Sequence, residues 1–220
     1  MRLVCLSDTH GLHDQVRLPP GDVLLHAGDV SGHGRLDEIG RFLSWFGRVG
    51  DFRHRVMIAG NHDFAFERTP HLAEGLIPDN ITYLNDSGVE LDGVRFWGSP
   101  VTPEFMDWAF NRTDEELRQH WGQLPAGVDV VVTHGPPRGI LDRVLLEGQA
   151  VGCPHLGRVI ERLRPRVHVF GHIHEGYGRE ERGGVQYLNA AVCDTRYRVS
   201  QPPQVVDVGE VGAPTSPRWR

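Results

Sequence analysis

Long apolar runs are missing from this 220-residue chain: no stretch approaches the ~20 apolar residues that a helix needs to cross a bilayer, so no membrane span is expected. Cysteine is scarce. Cys5, Cys153 and Cys193 are an odd number without scaffold spacing, which excludes a disulfide framework and favours a reducing, cytoplasmic setting. Lysine is absent altogether; all 23 basic residues are arginine, and 29 acidic residues leave a formal net charge of -6. That balance gives no general attraction to nucleic acid or anionic lipid and excludes a broad nucleic-acid surface. Met1 to Ser7 enters a strand-like run at once, with neither an apolar h-region nor a small-residue cleavage site, so no targeting signal is expected. Internal repeats and linkers are also lacking. What is there, 39% hydrophobic and 24% charged, suits one globular domain with a sizeable core.

Short apolar runs at Leu3–Leu6, Val23–Leu25, Val56–Ala59, Val128–Val132 and Val167–Phe170 read as strands buried on both faces. Helical periodicity lies between them. Leu36, Ile39, Leu43 and Phe46 share one face, and Leu156, Val159, Ile160 and Leu163 share another that stops before Pro165. Thr113 with Glu116 three residues on is a capping-box pattern for a third helix reaching about Trp121. Hairpins are expected at Val89–Trp97, turning on Asp92-Gly93, and at Tyr177–Leu188, turning near Gly183-Gly184, with a late strand at Gln204–Val208. The reading is an α/β domain over residues 1–208 followed by a flexible tail, 209–220.

The polar residues carry the chemical signal. Each apolar run ends in a cluster able to bind metal: Asp8-Thr9-His10, Gly28-Asp29, Gly60-Asn61-His62-Asp63, His134, and Gly171-His172-Ile173-His174. Open α/β folds form sites at the carboxyl ends of their strands, so these clusters point at one place. In extended chain, side chains at i and i+2 share a face, so Asp8 and His10 can chelate together, as can His172 and His174. A Gly-His-x-His alone arises easily by chance among 27 glycines and 13 histidines; the ordered set is far more specific.

That ordered set, D-x-H, G-D, G-N-H-D, T-H-G and G-H-x-H over Asp8 to His174, resembles the calcineurin-like metallophosphoesterase superfamily. Trp97-Gly98-Ser99-Pro100, Asp107-Trp108-Ala109-Phe110-Asn111 and Thr133-His134-Gly135-Pro136-Pro137 are similar to its metallophosphoesterase-domain-containing subgroup. The resemblance implies two facing β-sheets flanked by helices, with a dinuclear metal site at one edge. It implies one metal on Asp8, His10, Asp29 and His174 and the other on Asp29, Asn61, His134 and His172, bridged by Asp29. It implies hydrolysis of a phosphate ester by hydroxide bridging the metals, with His62 as general acid. Asp63 is expected to orient His62 by a hydrogen bond.

A donor set mixing imidazole, carboxylate and amide oxygen suits Mn, Fe, Zn or Ni, with Mn(II) favoured, better than Mg or Ca. The expected substrate is a small-molecule phosphate ester, a nucleotide diester of cyclic-nucleotide type, with phosphomonoesterase or protein phosphatase activity as the alternative and a metal-free scaffold behind it. Phe105 and Trp108 are candidates to wall the pocket, and His33 and Arg138 to contact substrate. His13 has the same two readings as His33, substrate contact or solvated surface. His26 and His168 read as hydrogen-bonded core residues, and His54, His71, His120 and His155 as surface.

Overall fold

The apolar runs of the sequence become the central strands of two sheets, within a register of one or two residues. The computed structural model describes residues 1–145 and 148–209. In chain order the elements are β1 (Arg2–Leu6), β2 (Val23–Ala27), α1 (Leu36–Phe46), β3 (His54–Ile58), α2 (Phe64–Arg68), α3 (Pro70–Glu74), β4 (Thr82–Tyr83), β5 (Ser87–Leu91), β6 (Val94–Ser99), β7 (Thr102–Pro103), β8 (Asn111–Arg112), α4 (Asp114–Trp121), β9 (Val130–Thr133), α5 (Pro154–Leu163), β10 (Val167–Phe170), β11 (Gly178–Arg182), β12 (Val185–Asn189) and β13 (Gln204–Asp207). The expected tail, 209–220, lies outside the described residues apart from Gly209.

One sheet has the order β13-β1-β2-β3-β4, the other β11-β12-β10-β9-β6-β5, and β7 pairs with β8 alone. Strands β1 to β4 are mutually parallel, as are β6, β9, β10 and β12; the antiparallel strands β13, β11 and β5 lie at the edges. Period-two alternation explains why the inner strands are apolar on both faces. Leu3, Cys5, Leu25, Val56, Val132 and Val169 pack between the sheets. Their neighbours Val4, Leu6, Leu24 and Met57 turn outward to meet Ile39, Phe42 and Phe46 of α1. On the opposite outer face Val131 and Phe170 meet Trp121 of α4 and Leu156 and Ile160 of α5. The architecture is therefore the expected pair of facing sheets flanked by helices.

The helix ends follow the sequence. Thr113 N–H donates to Glu116 at 2.9 Å and Glu116 N–H returns to Thr113 Oγ1 at 3.4 Å, starting α4. Helix α5 ends where Arg164 turns left-handed before Pro165, which cannot continue a helix. Cys153 caps the start of α5, its Sγ accepting from Leu156 N–H at 3.5 Å.

Because the inner strands are parallel, their carboxyl ends share one edge, and there the sheets are stitched together. Ser7 N–H, after β1, donates to Ala190 O, after β12, at 2.8 Å, and Val192 N–H donates back to Ser7 O at 3.0 Å. The loops after β1, β2, β3, β9, β10 and β12 all emerge at this edge.

Candidate metal centre

Asp8, His10, Asp29 and His172 all adopt positive φ, between 44° and 66°. Non-glycine residues rarely hold that conformation, and its concentration at one strand edge marks a place where the chain is bent to aim side chains. The neighbouring glycines follow from crowding. A Cβ at Gly171 would run into the Asp8 carboxylate and Ser7 Oγ; one at Gly60 would meet the Asp29 carboxylate and, at 2.7 Å, His134 Cε1. Gly171→Ala is therefore expected to push Asp8 out of line and destabilise the fold by about 1–3 kcal/mol. Metal stoichiometry and Tm, measured side by side, check it; full uptake at an unchanged Tm would show that the crowding is tolerated.

Asp8, His10 and His174 form one group of converging ligand atoms, Asp8, Asp29 and His134 a second, and His10, Asp29 and His62 a third. His10 Nε2 and His174 Nε2 are 3.3 Å apart, and His174 Nε2 is 3.4 Å from Asp8 Oδ1. His134 Nε2 is 3.4 Å from Asp29 Oδ2 and 2.8 Å from Asn61 Oδ1. The ring of His172 lies 5.0 Å from that of His134, while its backbone N–H donates to Asp8 Oδ2 at 2.9 Å. The seven residues expected as ligands thus come together, with Asp29 between the two halves.

Outer contacts fix which nitrogen faces inward. Nδ1 of His134 donates to Ala27 O, that of His174 to Asp194 O and that of His62 to Gly32 O, at 2.8–2.9 Å, which turns Nε2 toward the cluster. His26 Nδ1 accepts from Gly28 N–H at 3.2 Å, so its Nε2–H donates to Thr9 Oγ1 at 3.0 Å. It braces the residues flanking Asp8, His10 and Asp29. His168 sits 2.9 Å from Thr133 Oγ1, beside His134, through one ring nitrogen only. Burial pushes both rings down to about 3, so they stay neutral, as their core reading requires.

The residues fit divalent ions, and their electrostatics say why. Burial disfavours charge on His134 and His174, yet the Asp29 and Asp8 carboxylates outweigh it and raise each to about 9. Burial likewise opposes charge on Asp8, but the hydrogen bond and charge of His174 hold it well below the usual carboxylate range. Lone pairs and carboxylates packed this closely in a buried site repel unless cations lie among them, and protons take that role when metal is absent. His172, buried beside His134, is pushed down to about 4 and stays neutral, with a lone pair free for a cation.

In metal-free protein the raised His134 and His174 contribute stability that is complete below the unfolded value of 6.5 and is lost as pH rises through about 9. With a chelator present, Tm should fall between pH 6.5 and 9, and Mn(II) should restore it. A flat chelated profile in that window would contradict the assignment.

Several sequence expectations need correction. Asp63 does not touch His62: its carboxylate accepts from Gly60 N–H, Val30 N–H, Ser31 N–H and Ser31 Oγ at 2.6–3.1 Å, locking the Asp29 loop to the Gly60 turn. Gly32 O orients His62 instead. Arg138 is exposed and lines neither cleft at the site, because Pro137 bridges to Cys153 and carries the chain toward α5. His13 is buried against Phe42 and Trp45, and His155 is buried between Asp114 and Arg158. His33 does line the larger cleft, next to Glu38, and Phe105 lines the smaller one. Trp108 stacks on His62 with ring centres 4.2 Å apart and an angle of 26°. Sequence reasoning missed Asp194 and Tyr197. Tyr197 stands edge-on to His10 at 4.7 Å, and the signal for both was a sixth strand end, after β12, at the same edge.

A sequence profile described as calcineurin-like phosphoesterase matches residues 1–176. Human metallophosphoesterase domain-containing protein 1 is 40% identical over 232 aligned positions, covering 94% of this chain and 71% of its own; the mouse protein matches equally. Among solved structures, one superposes with a TM-score of 0.64 at 17% identity, covering 86% of this chain and 89% of the other. The phosphopantetheinyl hydrolase of Mycobacterium tuberculosis gives a TM-score of 0.58 at 18% identity, covering 89% and 90%. These two show a shared fold. With the fold, the converging ligands and the profile in agreement, the chain belongs to the calcineurin-like phosphoesterase family.

Proposed function

We propose that the protein is a dinuclear phosphodiesterase acting on small nucleotides of the cyclic-nucleotide type, loaded with Mn(II). Asp8, His10, Asp29 and His174 would hold one ion, and Asp29, Asn61, His134 and His172 the other. The observation that carries the reading is Asp29: its Oδ2 lies 3.9 Å from His10 Nε2 and 3.4 Å from His134 Nε2, so one carboxylate serves both halves. When bound, such an ion pair supplies a water acidic enough to attack phosphorus at neutral pH and neutralises charge on the phosphoryl oxygens. His62 stands beside it, Nε2 4.0 Å from Asp29 Oδ2. His62 would give its Nε2 proton to the departing ester oxygen while Gly32 O holds the ring through Nδ1–H. Trp108 and Phe105 wall the approach, which supports an organic group larger than a bare alcohol.

No helix among the described residues is long and apolar enough to cross a membrane. The three cysteines are buried free thiols, which supports a reducing, cytoplasmic setting. The test is Mn(II)-dependent hydrolysis of bis-p-nitrophenyl phosphate against p-nitrophenyl phosphate on metal-stripped and reconstituted protein. Faster diester cleavage at about two ions per chain is expected. Monoester preference would replace the diesterase reading with a phosphatase, and absence of uptake and turnover would leave a binding scaffold.

A further inference from the structure

Two clefts meet at the site. A smaller one of about 300 Å³ lies over Asp29, Asn61 and His172, and a larger one of about 850 Å³ opens beside it; His62, Met106, Trp108 and Tyr197 belong to the walls of both. A phosphate held at the metal cluster therefore has its attached group led past His62 into the larger cleft. Leu12, Phe64, Met106, Trp108 and Tyr197 make that cleft apolar and largely aromatic.

Charge is distributed against a second anion. Among the described residues no arginine lines either cleft, and each carries a carboxylate on its wall, Asp107 in the larger and Glu175 in the smaller. Arg196, between the lining residues Thr195 and Tyr197, lines neither cleft, and two other nearby arginines are committed elsewhere. Arg198 is paired with Asp194, its Nε 2.9 Å from Oδ2, and Arg68 lies over the Phe64 ring at 4.3 Å. An anionic group entering the larger cleft would lose water and meet the like charge of Asp107, with no arginine on the wall to pair with it.

We infer that the larger cleft is a leaving-group pocket for one flat, uncharged apolar or aromatic group, and that the site discriminates against substrates carrying a second anionic group. The inference rests on the hydrolytic reading above and narrows it: nucleoside di- and triphosphates, and phosphopeptides with acidic flanks, are poor ligands. Hydrolysis breaks the bond between phosphorus and the ester oxygen of that group. The oxygen of water takes its place on phosphorus, and the departing oxygen receives a proton from His62 on the shared wall.

The test is calorimetric binding of three non-hydrolysable probes to the Mn(II)-loaded protein: methylphosphonate, phenylphosphonate and 4-carboxyphenylphosphonate. Phenylphosphonate should bind at least about tenfold more tightly than methylphosphonate, since burying one ring is worth at least that much. The 4-carboxy group should cancel the gain, on the order of tenfold, and Asp107→Arg, a change at an exposed residue, should restore it. Equal binding of the phenyl and methyl probes, or of the phenyl and carboxyphenyl probes to the unaltered protein, would overturn the inference while leaving the phosphoesterase reading intact. Failure of all three probes to bind protein that holds its metal would instead overturn the phosphate site and the pocket with it.

Discussion

Asp29→Ala is expected to abolish uptake of both metal ions and to lower kcat/KM on the order of 10³-fold or more. The argument is geometric. Asp29 Oδ2 is within 3.4 Å of His134 Nε2 and 3.9 Å of His10 Nε2, so truncation removes an anionic donor from both halves of the site at once. It also releases the backbone: Asp29 Oδ1 accepts the N–H of His62 at 2.8 Å, and without it the turn carrying Asn61 and His62 loses its anchor. Asp8→Ala would remove a proposed ligand from one half only. The comparison is made by metal stoichiometry on both variants, with near-zero content expected for Asp29→Ala and partial content for Asp8→Ala. Asp29→Asn separates charge from shape, because the amide keeps an acceptor for the His62 N–H while removing the negative charge; it should hold the turn and still lose metal. Two tightly held ions in Asp29→Ala would mean that the carboxylate does not bridge.

The order of the inner strands and the three longer helices was legible because burial leaves a periodic mark: runs such as Val167–Phe170 are buried on both faces, and Leu36 to Phe46 repeats with helical spacing, whereas the short α2, α3, β4, β7 and β8 left none. The positions of the candidate ligands were legible for a related reason, since each follows such a run directly. The pairing of those strands was not, because nothing local in Val130–Thr133 says that it lies between β6 and β10; the two-sheet arrangement came from family resemblance. Errors arose wherever adjacency in sequence stood in for adjacency in space. His62 and Asp63 are consecutive, yet Asp63 sits at the start of α2 and turns inward to Val30 and Ser31, while His62 faces the cleft. Asp194 and Tyr197 are more than a hundred residues from His62 and reach the site only because β12 lies in parallel beside β10. Histidine burial was equally hidden, since the aromatic contacts of His13 come from α1 and the Asp114 partner of His155 from α4.

His62→Ala should leave two metal ions bound and lower kcat by roughly 10²–10⁴-fold, the usual range for loss of a general acid. Metal retention is expected because the substitution removes none of the seven proposed ligands, and the backbone N–H at position 62 still donates to Asp29 after the side chain is cut. The size of the kinetic loss should depend on the leaving group. A p-nitrophenolate departs readily without a proton, so p-nitrophenyl esters should show the small end of the range, whereas an alkyl or ribose oxygen needs the proton and should show the large end. A purely structural role would slow both alike. Because His62 also converges with His10 and Asp29, the same variant distinguishes acid from ligand: if metal content falls with turnover, His62 belongs to the metal's own coordination and the proton must come from elsewhere. Trp108 supplies a second check, since it stacks on the His62 ring at 4.2 Å and stands on the cleft wall. If the indole keeps that ring aimed at the leaving oxygen, Trp108→Ala should reproduce the leaving-group dependence of His62→Ala at reduced amplitude, with metal content unchanged.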